Sequence, residues 1–411
     1  MDFIFLTLLL MTRDGVMFQD HGEYPCFLTF YSSPSWRQLL FYRGYLFWKK
    51  PLQLSARHIE GLRCKGPLPL RLRPTAKHKQ SWRIQTKLYF VRVITYCNGS
   101  DGESALSSNR LNINFAGLKL KNPTVLASGI LGYSAESLES IVEGGAGAVV
   151  TKSIGLTPRI GYANPTVVQT KCGLINAMGL PNPGIEAYFQ EIRHAKTVLP
   201  VPLIVSVYGF SAEEYAAAAK KAAEAGADAV ELNVSCPHVK ETGSEIGQNP
   251  EILAKVVKRV KAAVQKPVFV KLSPNVTDIV ELAEAAVKAG ADALTAINTV
   301  RAMAIDVETT LPVLSNRRGG LSGPAIKPIA LRCVYDIYEK IQAPIMGCGG
   351  VTSWRDAVEF FLAGASAVQI GTAIALKNAS VFEAVNRGVD AYLKKKGFGS
   401  VKEIVGLSHR N

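Results

Sequence analysis

The sequence predicts an α/β protein: a (β/α)8 TIM barrel with loop insertions at its C-terminal face, preceded by a poorly structured N-terminal extension. Three observations predict it. A glycine-centred phrase recurs four times, eight short apolar runs alternate with amphipathic helical stretches, and the ends of those runs are unusually polar.

The recurring phrase is Gly144–Val150, Ala225–Val230, Ala289–Leu294 and Ala363–Val368. In each copy an Ala-rich helix stops at a Gly and a buried strand starts about three residues later, as expected of Gly just past a helix C-terminus. The candidate strands are Thr124–Ser128, Ala148–Ser153, Leu203–Tyr208, Ala229–Ser235, Val268–Ser273, Ala293–Asn298, Pro344–Gly350 and Ala367–Thr372. Helical patterns fill the intervals, as at Ala212–Ala225, Pro250–Val264 and Val276–Ala289. Near-continuous apolar strands between helices mean a parallel sheet covered on its outer face. Eight units favour closure into a barrel. A doubly wound sheet is the alternative, but no G-x-G-x-x-G follows a first strand. A short β-like opening, Leu111–Leu120, turns at Ala116-Gly117.

Composition excludes several classes. With 411 residues, 48% hydrophobic and 19% charged, the chain is too apolar for disorder and long enough to bury a core without staples. Its seven Cys are scattered, which argues against a disulfide framework and against a zinc or iron–sulfur site, and makes a reducing cytoplasm the simplest compartment. The net charge of +14 is uneven: residues 1–110 carry 16 Lys and Arg against 7 Asp and Glu. The remainder is mildly basic, which suits small anions. Residues 1–108 show no sustained period. The nine-residue apolar run Phe3–Met11 is far short of the roughly 20 residues that span a bilayer. Trp36, Trp48 and Trp82 lie among Arg and Lys, yet neither a nucleic-acid motif nor a membrane-binding helical face accompanies them. The segment reads as a poorly ordered extension, or as upstream sequence outside the native product. Residues 109–411 form the barrel domain.

Chemistry in such a barrel sits at the C-terminal ends of the strands. Here those ends are Thr151-Lys152-Ser153, Asn233-Val234-Ser235-Cys236-Pro237, Lys271-Leu272-Ser273 and Asn298-Thr299. A structural barrel has no need of two Lys, two Asn and a Cys at matched positions. The last two strands end in Gly347-Cys348-Gly349-Gly350, before a helix at Ser353, and Gly371-Thr372, before a helix at Asn378. This is the usual phosphate cradle, so a phosphate-bearing ligand is expected. Two long insertions stand out: Ile154–Pro183, holding Asn176–Asn182, and Pro237–Asn249, a candidate lid.

Together with Ser322-Gly323-Pro324, these motifs closely resemble the dihydroorotate dehydrogenase family over residues 111–405, in chain order. The resemblance implies an FMN enzyme that oxidises dihydroorotate to orotate in pyrimidine synthesis. Cys236 matches the catalytic base of class 1; the quinone-reducing class carries Ser there. A thiol deprotonates far more readily than a hydroxyl. By the same match Lys271 stabilises the reduced flavin, and Lys152 pairs with the substrate carboxylate. Asn176, Ala177, Met178, Gly179, Leu180, Asn233, Asn298 and Thr299 complete the substrate site. Ser128, Lys152, Ser153, Ser206, Asn233, Lys271, Ile297, Gly323, Gly349, Gly350, Gly371 and Thr372 hold the FMN. No metal site is implied. The NAD-linked 1B branch fits best, with a separate FAD and iron–sulfur electron-transfer subunit as partner, in a homo-oligomer or heterotetramer; fumarate is the other acceptor used by Cys-base members.

Two positions depart from the family pattern. Ser206 stands where an Asn usually touches the flavin, and His238 stands where Asn usually follows Cys-Pro. Rival functions are a dihydropyrimidine dehydrogenase-like activity on substrates lacking the carboxylate, and a flavin-free phosphate-binding isomerase or synthase. A nucleic-acid-binding module led by residues 1–110 is the rival from another class.

Overall fold

The computed structural model describes residues 109–234 and 246–410, with the short strands Thr29–Phe30 and Arg37–Gln38. The chain divides into two units, Met1–Gly102 and Glu103–Asn411. Of the first, only the antiparallel pairing of those two short strands is described, so the expectation about the order of residues 1–108 lies outside the described residues.

In the second unit eight strands alternate with helices. They are β1 (Thr124–Leu126), β2 (Ala148–Val150), β3 (Leu203–Val207), β4 (Ala229–Asn233), β5 (Val268–Leu272), β6 (Ala293–Ala296), β7 (Ile345–Cys348) and β8 (Ala367–Ile370). Each pairs in parallel with its neighbours in chain order, and β8 returns to β1, closing the barrel. The helices are α1 (Ala135–Glu143), α2 (Ile185–Val198), α3 (Ala212–Glu224), α4 (Pro250–Ala263), α5 (Ile279–Lys288), α6 (Lys327–Lys340), α7 (Trp354–Leu362) and α8 (Ser380–Lys396). Side-chain caps start several of them: Ser134 and Ser353 form capping boxes, and Asn249 caps α4 just before Pro250. Among the described residues, no helix is long and apolar enough to cross a membrane.

All eight strands lie within the apolar runs of the sequence, but each ends one to three residues sooner. The polar residues that close those runs leave the ladder and turn over the barrel mouth. One helix boundary also differs. Thr372 leads directly into a short helix, Ala373–Lys377, and Asn378 ends that helix rather than starting α8.

The recurring phrase has a physical reading. In all four copies the Gly lies at φ between 101° and 118°. Its amide and that of the next residue reach back into the helix, as Gly290 N to Val287 O and Ala291 N to Ala286 O, and Gly364 N to Phe361 O and Ala365 N to Phe360 O. That is the Schellman ending. In two copies an Asp follows. Asp228 accepts from the Leu203 amide at 2.8 Å and Lys196 Nζ at 2.7 Å; Asp292 accepts from the Val268 amide and Lys261 Nζ, both at 2.7 Å. Each Asp thereby ties its strand to the preceding one and to the helix that leads into that preceding strand, α2 for Asp228 and α4 for Asp292.

Alternation inside the ring sets the interior. Ala229, Phe269, Ala293, Met346 and Ala367 fill the N-terminal end, with Val125, Ala148, Val150 and Ile204. The predicted opening hairpin, Ile113–Phe115 paired with Leu118–Leu120, plugs that end: Phe115 and Leu120 join this cluster, and the Phe115 ring meets Phe269 edge-on at 5.4 Å. Ala116 and Gly117, both at positive φ, make its two-residue turn.

The Ile154–Pro183 insertion is structured above the other end. Val167–Thr170 and Gly173–Asn176 form a hairpin within Ile154–Pro183, and Gly319–Ser322 and Val300–Ala302 extend it to a four-stranded antiparallel sheet. Replacing Gly290 by Ala forces a left-handed alanine, whose Cβ still meets Lys261 Cγ at an ordinary 3.6 Å. We expect a loss of ~1–2 kcal/mol in urea unfolding. Gly364→Ala puts Cβ 2.1 Å from the Tyr338 ring and costs about 1–3 kcal/mol more. Equal losses would contradict this reading.

Candidate active site

A cleft opens where the strands end. Its wall takes Ser128 after β1, Lys152 and Ser153 after β2, and Asn233 of β4. Lys271 of β5, Ile297, Asn298 and Thr299 after β6, Cys348, Gly349 and Gly350 at the end of β7, and Gln369 of β8 with Gly371 and Thr372 just after it continue it. The overlying sheet contributes Asn176, Met178, Gly179, Leu180 and Gly323. The structure therefore gathers at one cleft nearly every residue the sequence singles out. Two stand apart. Ala177 is fully buried against Ile175 and Leu314, and Ser206 is an inward residue of β3, buried beneath Ser153 at 2.8 Å between hydroxyl oxygens. Cys236, His238 and the candidate lid up to residue 245 lie outside the described residues.

The rim is a connected set of hydrogen bonds. Asn298 Nδ2 donates to Asn233 Oδ1 at 3.2 Å, and Asn233 Nδ2 donates to Ser153 Oγ at 2.9 Å. Ser153 meets Ser128 as well as Ser206. Asn176 Nδ2 donates to Gly320 O, which fixes it across the sheet. Asn275, just beyond β5, holds the turn after β6 by donating to Thr299 O at 2.9 Å and accepting from the Arg301 amide at 2.8 Å. These contacts hold the asparagines at the cleft wall, where each can offer a donor and an acceptor.

The two lysines differ. Burial alone lowers the Lys152 pKa. Lys271 is almost fully buried, and burial is the strongest influence on it, opposing its charge. The Cys348 sulfur and the Glu231 carboxylate outweigh that and hold its pKa above the ordinary lysine value. Burial in turn pushes the Cys348 thiol up, against the opposing pull of Lys271, and Glu231 Oε1 lies 3.9 Å from Lys271 Nζ. Lys271 Nζ donates to Gln369 Oε1 at 2.8 Å. The sequence reading does not single out Glu231, Thr295 or Gln369. Their signal is a charged, hydroxyl or amide residue inside an otherwise apolar strand.

The far end of the cleft fits a phosphate. A Cβ at Gly350 would fall 2.7 Å from Lys327 Cβ and 3.0 Å from Gly323 O, and one at Gly349 would fall 2.8 Å from Ala330 Cβ. Only glycine permits this approach of β7 to the loop at Gly323. Among the described residues, the amides of Gly349, Gly350, Gly371 and Thr372 donate to no protein group. Thr372 Oγ1 lies 2.8 Å from Ser322 Oγ, joining the end of β8 to the overlying sheet. Amides and a hydroxyl at one end of the cleft, with a lysine at its floor, are a donor set that suits a ring bearing a phosphorylated chain, as FMN does.

A family model described as dihydroorotate dehydrogenase matches residues 110–393. The chain belongs to the dihydroorotate dehydrogenase family. It is 56% identical over 298 residues to the dihydroorotate dehydrogenase B (NAD(+)) catalytic subunit of Pyrococcus abyssi, covering 72% of this chain and 99% of that protein. The proteins of the same name from Pyrococcus furiosus and Methanosarcina acetivorans are 54% and 50% identical over 300 and 297 residues, covering 73% and 72% of this chain and 99% and 95% of theirs.

In this dihydroorotate dehydrogenase barrel one buried amide pins the Ile154–Pro183 insertion. Asn182 accepts from the amides of Gly155 and Gly184, at the two ends of the insertion, and donates to Leu180 O and to Tyr208 Oη at 2.7 Å. Asn182→Ala is expected to cost about 1–3 kcal/mol and to speed amide exchange across residues 155–184 while the barrel strands stay protected. Unchanged exchange in that segment would contradict its role.

Proposed function

We propose that the protein oxidises dihydroorotate to orotate, a step of de novo pyrimidine synthesis, with FMN in the cleft and NAD as final acceptor. The observation that carries this reading is the gathering of Lys152, Asn176, Asn233, Asn298 and Lys271 around one cleft in a chain of this family. When bound, FMN supplies the acceptor for the hydride from carbon 6 of the substrate.

The residues of the chain do the rest. The Lys152 ammonium pairs with the substrate carboxylate, which orients the ring. Asn176, Asn233, Asn298 and Thr299 meet its amide edges, while Met178, Gly179 and Leu180 cover it. Cys236, three residues beyond Asn233, takes the carbon 5 proton onto its sulfur. The carbon 6 hydrogen leaves with its electron pair, and the carbon 5–carbon 6 double bond forms. Lys271 places positive charge where the reduced flavin is negative, an electrostatic contribution. Gly323, Gly349, Gly350, Gly371 and Thr372 hold the phosphate end, and Ser128, Ser153 and Ile297 line the ring. A separate subunit carrying FAD and an iron–sulfur centre would take the electrons onward, in the cytoplasm. The words "catalytic subunit" in the relatives' name support that partner.

Anaerobic mixing of the FMN-loaded protein with dihydroorotate is expected to bleach the flavin absorbance, while dihydrouracil leaves it yellow. Cys236→Ser slows bleaching about 100-fold or more. Bleaching by dihydrouracil but not by dihydroorotate would overturn the assignment. The lowered Lys152 pKa gives a second expectation. Its ammonium binds the carboxylate, so orotate affinity is full at low pH and falls as pH rises through a value below the ordinary lysine 10.5. Lys152→Met removes that inflection and weakens orotate about 30-fold, the ~2 kcal/mol of a desolvated charge pair. A flat profile in the wild type would refute the pairing.

A further inference from the structure

Beneath the cleft floor lies a polar layer that the steps above leave without a task. Glu231 of β4, Thr295 of β6 and Gln369 of β8 point into the barrel and are at most 1% exposed. Glu231 Oε2 accepts from Gln369 Nε2 at 2.7 Å and from Thr295 Oγ1 at 3.0 Å. Gln369 Oε1 accepts from Lys271 Nζ at 2.8 Å. The Gln369 amide is thus fixed at both ends, its N–H on the carboxylate and its carbonyl on the ammonium. Glu231 Oε1 has no hydrogen-bond partner and lies 3.9 Å from Lys271 Nζ. The remaining titratable group at this point is the Cys348 thiol, which burial pushes up and whose sulfur also acts on Lys271.

A carboxylate closed off from water is costly unless it is paired, and an apolar replacement of such a pair is often neutral or stabilising. Barrel interiors are ordinarily filled by Val, Ile and Leu. Keeping Glu, Gln and Thr here, around a lysine at the cleft floor, points to a use of charge rather than of packing.

We propose that Glu231 is a positioning residue for Lys271. Through Gln369 as a rigid link it keeps the lysine charged and its ammonium fixed at the cleft floor, and so sets the preference of the cleft for reduced, anionic FMN over oxidised FMN. The second half rests on the FMN reading above; the first half does not. Without Glu231 the desolvated lysine gives up its proton. The sign is informative: a neutral Lys271 lowers the flavin reduction potential, whereas removing the carboxylate from beside a lysine that stayed charged would raise it.

The test uses the full chain as wild type, as Glu231→Gln, and as the exchange Glu231→Gln with Gln369→Glu. The exchange moves the carboxylate onto the residue already in contact with Nζ. In flavin-free protein labelled at lysine Cε, the Lys271 resonance, identified by its loss in Lys271→Gln, is followed against pH. The proton affinity of Lys271 is expected to fall tenfold or more in Glu231→Gln and to return in the exchange variant. In FMN-loaded protein the ratio of reduced to oxidised FMN affinity falls about tenfold in Glu231→Gln, about 30 mV for a two-electron couple, and recovers in the exchange. A merely structural role would weaken both forms of FMN alike. An unchanged Lys271 titration, or a raised potential, overturns the proposal. A protein that binds no FMN sinks the reading above instead and leaves the flavin-free titration to decide this one. If Glu231→Gln does not fold, the exchange variant decides: a charged Lys271 supports the proposal and a neutral one overturns it.

Discussion

In a closed ring of eight parallel strands, every second side chain points into a space with no access to bulk water except at the ends. That constraint orders the molecule. At the N-terminal end the inward positions are Ala, Val, Ile, Met and Phe, sealed by the Phe115 hairpin. One layer up, Glu231, Lys271, Thr295 and Gln369 take the same inward positions and must satisfy one another. At the top the inward set becomes Lys152, Asn233, Ile297, Gly350 and Gly371, the cleft itself. The passage from apolar plug to charged layer to open site follows three successive steps of the strand period. A buried lysine is tolerated at the floor because a carboxylate is built into the preceding strand, β4.

The overlying sheet supplies what the ring cannot. A barrel end is open on one side, so a planar ring needs a cover, and two segments from distant parts of the chain, the Ile154–Pro183 insertion and the loop after β6 holding Val300–Ser322, pair to make one. Asn182 ties the first insertion at its neck, and Asn275 ties the turn that leads to the second. The recognition groups are thereby carried on short, doubly held segments rather than on free loops.

Much of this is legible in the sequence because it is local. A Schellman ending needs only a Gly and its helix, so four glycine phrases mark four helix-to-strand junctions before any contact is known. The strand-end residues were readable for the same reason, since the fold class alone says which end carries chemistry. What was not legible depends on pairing at a distance. Gly320 meets Asn176 across 144 positions, and nothing in either segment announces the other. Ser206 and Ala177 are assigned to the site by resemblance, but the strand period turns one into the interior and packing buries the other. Glu231 and Gln369 were visible as polar residues in apolar strands, yet their partnership with Lys271 requires the barrel to close. Cys236 follows from the resemblance, and the described residues neither add to it nor oppose it.

The central claim is that one cleft holds the flavin over Lys271 and the substrate between Lys152 and the asparagines. The most direct measurement is a crystal structure of the full chain with FMN and orotate. The account predicts the FMN phosphate on the amides of Gly349, Gly350, Gly371 and Thr372, its ring against Lys271, and the orotate carboxylate on Lys152. Orotate bound with its carboxylate away from Lys152, or FMN outside this cleft, would contradict it.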